Sequence, residues 1–204
     1  MREKLKTLGV TLDQTLSFQN HINSVICSCN CNILALCHIR RSLTHDVANT
    51  IGCSIVNTRL DYCQSLLYRV AKIHLKKLQY IQNKLARVIC DVGNRDHYII
   101  DQFRNLHWLP VRSRIEFKVA TLCFKSLFVE QPRHLRDISH PYISSRTLRS
   151  TDKQLLVLPR TKMNTATARF SYSGPEVWNL LPSSLRSVDS NDTFKSQWKV
   201  NFFC

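Results

Sequence analysis

The sequence predicts a mainly α-helical protein, in which a short strand precedes a helical bundle and a smaller mixed α/β tail follows it. The chain of 204 residues has only four glycines and six prolines, less than half of the usual share, which favours long helices. Apolar residues recur at helical spacing between residues 17 and 130. Beyond residue 131 the pattern changes to short segments rich in Ser, Thr and Pro. The apolar fraction of 44% and the charged fraction of 21% are those of a globular chain.

The first elements follow from local patterns. Residues 6–13 alternate between apolar and polar side chains, which predicts a short strand. Residues 17–40 carry apolar side chains at helical intervals and predict the first long helix. Thr44 is a suitable N-cap for a second helix, which we expect to continue or kink near Tyr62.

The later elements include the clearest helix of the chain. Residues 72–90 place apolar side chains on one side and basic ones on the other. Pro110 suits a first helical position and predicts a helix from there to about residue 130. This helix is apolar on nearly all sides, apart from a strip of Arg114, Lys118 and Lys125. We therefore expect it to be the central, most buried helix. In the tail, residues 154–158 and 168–172 predict strands, and residues 192–203 predict a final helix.

The basic residues are concentrated in two segments. The formal net charge is +15, which favours a polyanionic partner such as nucleic acid. Residues 59–91 contribute +5 and residues 132–170 contribute +6. We divide the chain into residues 1–16, residues 17–131 and the basic tail, residues 132–204.

Several classes of site do not fit the sequence. The four glycines cannot form a phosphate-binding glycine loop, and the 14 acidic residues include no adjacent pair of the kind that holds Mg²⁺ in two-metal phosphoryl transfer. A nucleophilic site assembled by tertiary contacts remains open, because its partners need only meet in space. We expect no cofactor and no small-molecule substrate.

The cysteines invite a zinc site at Cys27, Cys29, Cys31 and Cys37. All four fall on one predicted helix, where Cys29 and Cys37 lie on the apolar side and the other two point away from it. Four ligands that point in two directions cannot close a tetrahedron around one ion, so we predict no metal site.

The N-terminal residues carry charge and lack the apolar run of a secretory signal, and nine cysteines is an odd number. We therefore expect an intracellular protein, nuclear or cytoplasmic. Residues 14–39 lack formal charge but include several asparagines, so we expect a soluble helix and no membrane partner.

The basic side of the helix at residues 72–90 is the best candidate for function. Lysines and arginines on one side of a helix can follow a phosphate backbone, and an aromatic ring among them can pack on a sugar or base. The alternative is an ordinary solvated helix surface. The predicted nucleic-acid-binding residues are Lys76, Lys77, Tyr80, Lys84 and Arg87, with Arg146, Arg149, Arg160 and Lys162 as a second patch.

Eight ordered blocks of sequence together resemble one known family. The blocks are K-T-L-G-V-T-L-D (6–13), L-S-F…H-I (16–22), H-I-R-R-S-L (38–43), R-L-D-Y-C…S-L-L-Y (59–68), K-L-Q…I-Q-N-K-L-A-R (77–87), L-H-W-L-P-V (106–111), P-R-T (159–161) and V-W-N-L-L-P (177–182). This set resembles the C-terminal portion of the reverse transcriptase of LINE-type, jockey-like non-LTR retrotransposons.

The resemblance implies a part of a polymerase without its catalytic centre. In that family the palm, with its Tyr-x-Asp-Asp box, lies upstream of the first of these blocks, so no catalytic residue is carried over. The chain then corresponds to the last palm strand, the helical thumb and the C-terminal region. A thumb lies against the template–primer duplex, so we expect a non-catalytic fragment of an RNA-directed DNA polymerase that binds RNA or RNA–DNA duplex without sequence preference.

Two alternatives stay open at this point. The chain can be a helical protein-interaction module or a host-retained remnant without nucleic-acid binding, with apolar residues such as Val10, Leu12 and Phe18 exposed for contact. An intact enzyme requires a site formed by contacts that the sequence does not reveal.

Overall fold

The computed structural model describes residues 4–93, 99–143, 154–161 and 166–203. The chain forms two compact units, Met1–Arg114 and Ile115–Cys204. The predicted class is confirmed: a small strand element comes first and helices dominate the rest. The predicted division at residues 16 and 131 stays a prediction.

The elements of the first unit are β1 (Lys4–Thr7), β2 (Val10–Asp13), α1 (Gln19–Ile39), α2 (His45–Gly52), α3 (Thr58–Asp61), α4 (Lys72–Cys90) and α5 (Ile99–Asn105). Helix α6 (Val111–Phe124) begins in the first unit and ends in the second. The second unit adds α7 (Arg133–Arg136), α8 (Phe170–Leu180), α9 (Ser183–Arg186) and α10 (Asn191–Phe203).

The first block of sequence is a hairpin and not the single strand predicted over residues 6–13. Strands β1 and β2 pair antiparallel, with Leu5 opposite Leu12 and Thr7 opposite Val10. The two turn residues, Leu8 and Gly9, have φ of 45° and 77°, as in the type I′ turn that suits a two-residue hairpin.

Helices α1 and α4 form the centre of the first unit and pack against each other. Their bounds confirm the helices predicted at residues 17–40 and 72–90. The side chains that they bury recur every three or four residues: Ile22, Cys29, Ile33 and Leu36 on α1, and Leu75, Leu78, Ile81, Leu85 and Ile89 on α4. Gln82 of α4 is fully buried, and its amide nitrogen donates to Leu109 O at 2.9 Å.

The second predicted helix starts as expected and then changes its winding. The side-chain oxygen of Thr44 accepts a hydrogen bond from Val47 N at the start of α2. A π-helical turn, Cys53–Asn57, follows α2 and leads into α3. The chain leaves helical geometry at Tyr62, as predicted.

Helix α6 follows Pro110 as predicted, and a π-helical turn, Lys125–Val129, continues it to Glu130. Lys118 and Lys125 of the predicted strip are exposed, whereas Arg114 is mostly buried. Its side chain is 13% exposed, because it forms an ion pair with Asp61 at 2.9 Å and donates to Leu109 O at 3.0 Å.

The second unit has an aromatic core. Phe124, Trp178 and Phe194 are fully buried, and the rings of Phe124 and Phe194 stack with centroids 4.8 Å apart. The final predicted helix is confirmed by α10.

The two strands predicted in the tail are not formed. Of residues 168–172, the first ends a 3₁₀ turn and the last three form the start of helix α8. Leu156 forms an isolated β-bridge with Pro141 and no longer ladder. Its backbone N–H donates to Asn179 Oδ1, and its carbonyl accepts from Asn179 Nδ2, both at 2.9 Å. Gln154 O accepts from the indole nitrogen of Trp178 at 2.8 Å. Side chains of α8 thus take the place of a neighbouring strand.

Candidate nucleic-acid interface

The predicted basic residues of α4 lie beside α1, and the exposed edges of the two helices form a continuous surface with two hollows. Lys84 connects the helices, since its ammonium group donates to Asn30 Oδ1 at 3.1 Å. The structure thereby brings Lys76, Lys77, Tyr80 and Lys84 onto one face with residues of α1 that the sequence did not single out.

The first hollow has an apolar floor and a basic edge. It is a cavity of about 520 Å³, which we call the Tyr80 groove; it is lined by Asn23, Ile26 and Asn30 of α1 and by Ile73, Lys76, Lys77, Tyr80 and Ile81 of α4. Tyr80 is 64% exposed and Ile73 is 61% exposed. Large apolar side chains left open beside two lysines provide a surface for a ring or sugar with phosphates at its edge.

The second hollow lies toward the end of α4 and is mainly cationic. Its volume is about 530 Å³, and Arg41, Lys84, Arg87, His38 and Asp91 are among its lining residues. We call it the Arg41 pocket. Among the described residues that line it, Asp91 carries the only carboxylate, and the basic side chains outnumber it.

Arg40 fixes the wall of this pocket. Its guanidinium donates to the carbonyls of Val88 and Ile89 at 2.7–3.0 Å and to Leu43 O at 2.9 Å. The carbonyls at a helix C-terminus lack helical partners and carry the negative end of the dipole, so a cation is favourable there. The contact ties the short 3₁₀ turn after α1 to the end of α4, and this turn includes Arg41.

The cations of this surface are not neutralised by neighbours. Arg41, Lys76, Lys77, Lys84 and Arg87 form no ion pair within the part of the chain that the structure describes. Arg87 is half-buried, and its Nε is buried with no hydrogen-bond partner among the residues that the structure describes. Unpaired basic side chains held close together repel one another, and a polyanion would relieve that repulsion.

Sequence reasoning missed Arg40, Arg41 and His38. All three lie in the block at residues 38–43. The sequence signal that could have identified them is the pair of arginines at the end of the predicted helix. Only the packing of α1 on α4 reveals that this pair lies beside Lys84 and Arg87.

Most of the second predicted patch lies outside the residues that the structure describes. Arg160 is exposed in the second unit. Arg146, Arg149 and Lys162 lie outside the described residues.

The cysteines of α1 are separated by burial. Cys29 is fully buried, whereas Cys27, Cys31 and Cys37 are exposed, so Cys37 does not share the burial expected from its side of the helix. Burial raises the pKa of the Cys29 thiol to about 11. In the described ranges no three His, Cys, Asp or Glu side chains are grouped as metal ligands.

One group of side chains has the order of a catalytic triad. Cys90 Sγ lies 4.0 Å from His45 Nε2, and His45 Nδ1 lies 3.7 Å from Asp46 Oδ1. Burial raises the pKa of Cys90 despite the nearby charge of Arg40, and the thiol ends α4, where the helix dipole disfavours a thiolate. The arrangement therefore does not activate the sulfur as a nucleophile.

The segment Gln19–Ser42 has the length and composition of a membrane-crossing helix, which the described residues show nowhere else. In the structure this segment packs on α4 and buries Ile22, Cys29, Ile33 and Leu36, whereas Leu34 and Ile39 are about half exposed. The predicted absence of a membrane partner stays a prediction.

Comparison with known proteins identifies no relative: no family model, no curated protein and no solved structure matches the chain.

Proposed function

We propose that this chain binds RNA or RNA–DNA duplex without sequence specificity, through the face formed by α1 and α4, as the non-catalytic thumb portion of a LINE-type reverse transcriptase. The observation that carries the proposal is the surface on which the Tyr80 groove adjoins a set of unpaired cations. The resemblance of the eight sequence blocks supports the assignment to that class of polymerase.

The chemistry of the face suits backbone recognition. Lysine and arginine side chains release counterions when they neutralise phosphates, which gives affinity without reading bases. Tyr80 adds a flat apolar contact that every nucleotide can use, since each has a sugar and a base face. No part of this mechanism requires a metal ion or a catalytic carboxylate in the chain.

The test is a double charge reversal, Lys77→Glu with Lys84→Glu, measured by fluorescence anisotropy with a labelled RNA–DNA hybrid. The slope of log K against log salt is negative, and the loss of two phosphate contacts brings it closer to zero by about 1.8. We expect weaker binding to all sequences alike.

The matched control is Lys118→Glu with Lys199→Glu. Both lysines are exposed, neither lines the Tyr80 groove or the Arg41 pocket, and the control changes the net charge by the same amount. Equal losses for the two double variants would reject the face and leave only a general field of positive charge. Unchanged affinity in the α4 variant would reject the proposal.

A protein-interaction module is the second candidate, and the hairpin favours it. Leu8 is 85% exposed and Leu5 is 64% exposed. The sequence analysis expected Val10, Leu12 and Phe18 to be exposed for such contact. This prediction is wrong for Val10 and Phe18, which are buried. A defined complex that persists in size-exclusion chromatography at high salt would favour this candidate over nucleic-acid binding.

A further inference from the structure

The Arg41 pocket combines fixed geometry with uncompensated charge. Arg40 is fixed by the carbonyls at the end of α4, and Lys84 is held by Asn30. Arg41 and Arg87 complete the cationic lining, and neither has an anionic partner in the described ranges. Basic groups that are held in place before a ligand arrives lose less entropy when they bind it.

The buried edge of Arg87 adds to this picture. Its Nε is inaccessible to solvent and has no hydrogen-bond partner among the described residues, so a ligand in the pocket can reach only the other guanidinium nitrogens. A half-buried guanidinium that lacks a carboxylate is costly unless an anion reaches its outer nitrogens. Arg87 thus joins Arg41 and Lys84 as a cationic side chain that lines the pocket.

We propose that the Arg41 pocket binds the phosphomonoester at the end of a nucleic-acid strand whose adjoining nucleotides lie in the Tyr80 groove. This inference rests on the proposed function. It assigns a role to Arg41, which is not among the predicted nucleic-acid-binding residues.

Charge favours a terminal phosphate over an internal one. A phosphomonoester carries close to two negative charges at neutral pH and offers three acceptor oxygens, whereas a phosphodiester carries one charge. The cluster of Arg41, Lys84 and Arg87 matches the dianion better. Arginine and phosphate also form paired hydrogen bonds that fix the orientation of the group.

The far wall of the pocket favours the end of a strand. Asp91 lines that side, at the C-terminus of α4, where the dipole is negative. A backbone that continued past this point would bring further phosphates toward the carboxylate. Toward the other side, Tyr80 and Arg87 are seven residues apart on one helix, or about 10 Å, a span of about three nucleotides.

The test compares labelled RNA–DNA hybrids that differ only in one strand end: hydroxyl, 5′-phosphate or 3′-phosphate. We expect one of the two phosphorylated ends to raise affinity about tenfold over the hydroxyl end, the usual contribution of charge-assisted hydrogen bonds. Equal affinity for all three ends would overturn the proposal.

Arg41→Gln is the variant of choice, because Arg41 is exposed and we therefore expect the variant to fold. It is expected to abolish the preference for a phosphorylated end and to weaken binding to the hydroxyl end about as much as the loss of one phosphate contact elsewhere on the face. Lys76→Gln is the matched control, since Lys76 lines the Tyr80 groove and not the pocket. It is expected to weaken binding to all ends and to keep the preference. A preference that survives Arg41→Gln would also overturn the assignment.

A second measurement separates failure of the site from failure of the proposed function. Thermal unfolding with pyrophosphate, for the wild type and Arg41→Gln, reports on the pocket without any oligonucleotide. Stabilisation of the wild type alone, with no binding of any hybrid, would make the pocket a site for free phosphate and overturn the strand-end assignment. A phosphoserine peptide that binds as tightly as the phosphorylated hybrid would also overturn it, in favour of a protein ligand.

Discussion

Tyr80→Ala tests whether the Tyr80 groove contributes contact as well as charge. The ring is 64% exposed, and its hydroxyl has no hydrogen-bond partner in the part of the chain that the structure describes. Truncation therefore removes little packing from the fold, and we expect an unchanged midpoint of thermal unfolding. An effect on affinity can then be assigned to the ligand.

The magnitude follows from the cost of losing one aromatic contact. Stacking of one base contributes about 1–3 kcal/mol, which corresponds to about 5- to 150-fold in affinity. We expect a loss in this range for single-stranded RNA, and a smaller loss for a blunt RNA–DNA hybrid, where the ring reaches only the sugar. The slope of log K against log salt stays unchanged, because no phosphate contact is removed.

The assay is fluorescence anisotropy at several salt concentrations, with Tyr80→Phe as the control. Phenylalanine keeps the flat ring and is expected to bind like the wild type. Equal affinities of Tyr80→Ala and the wild type for both ligands would refute the contact. A changed salt slope would show that the substitution had disturbed the neighbouring lysines instead.

Three further outcomes concern the fold. Arg40→Met removes the hydrogen bonds to the end of α4 and is expected to lower the free energy of unfolding by about 2–4 kcal/mol in urea titrations; an unchanged value would contradict the contact. Gly52→Ala places a Cβ 2.7 Å from Ile89 Cδ1 and is expected to lower the free energy of unfolding by about 1 kcal/mol after the gain in helix propensity. Gly93→Ala, whose Cβ would meet no atom of the described residues within 4 Å, is expected to lower it little. Burial raises the pKa of Cys29 from 9.0 to about 11, so the folded state holds the thiol proton more tightly than the unfolded state does. The free energy of unfolding therefore falls as the pH rises from about 9 toward 11. Cys29→Ala should remove this part of the pH dependence, and an unaltered profile would contradict the raised pKa.

The parts of the fold that the sequence predicts best are those with one strong period. Helix α4 has a single apolar side, so both of its ends follow from the pattern. The hairpin was missed because alternation continues through its turn and because leucine rarely adopts the positive φ of Leu8. The strand predicted at residues 168–172 is wrong because the neighbouring Gly174 and Pro175, which normally end helices, lie inside α8.

The candidate site is predictable only on the side that one helix provides. Lys76, Lys77, Tyr80 and Lys84 follow from the helical wheel of α4. The opposite wall of the groove comes from α1, and Arg40 and Arg41 of the pocket come from the turn after it. Contacts between these parts and α4 join residues that are 48 to 54 positions apart in the chain. That juxtaposition depends on tertiary packing, to which local periodicity is blind.

The most direct test of the central claim is the affinity of the folded wild-type chain for an RNA–DNA hybrid at about 50 and about 200 mM salt. The four basic residues of the α4 stripe, Lys76, Lys77, Lys84 and Arg87, correspond to about four neutralised phosphates, for which affinity falls about a hundredfold over this range. Such a fall is the predicted result. Absence of binding at the lower salt concentration, from protein shown to be folded, would contradict the account.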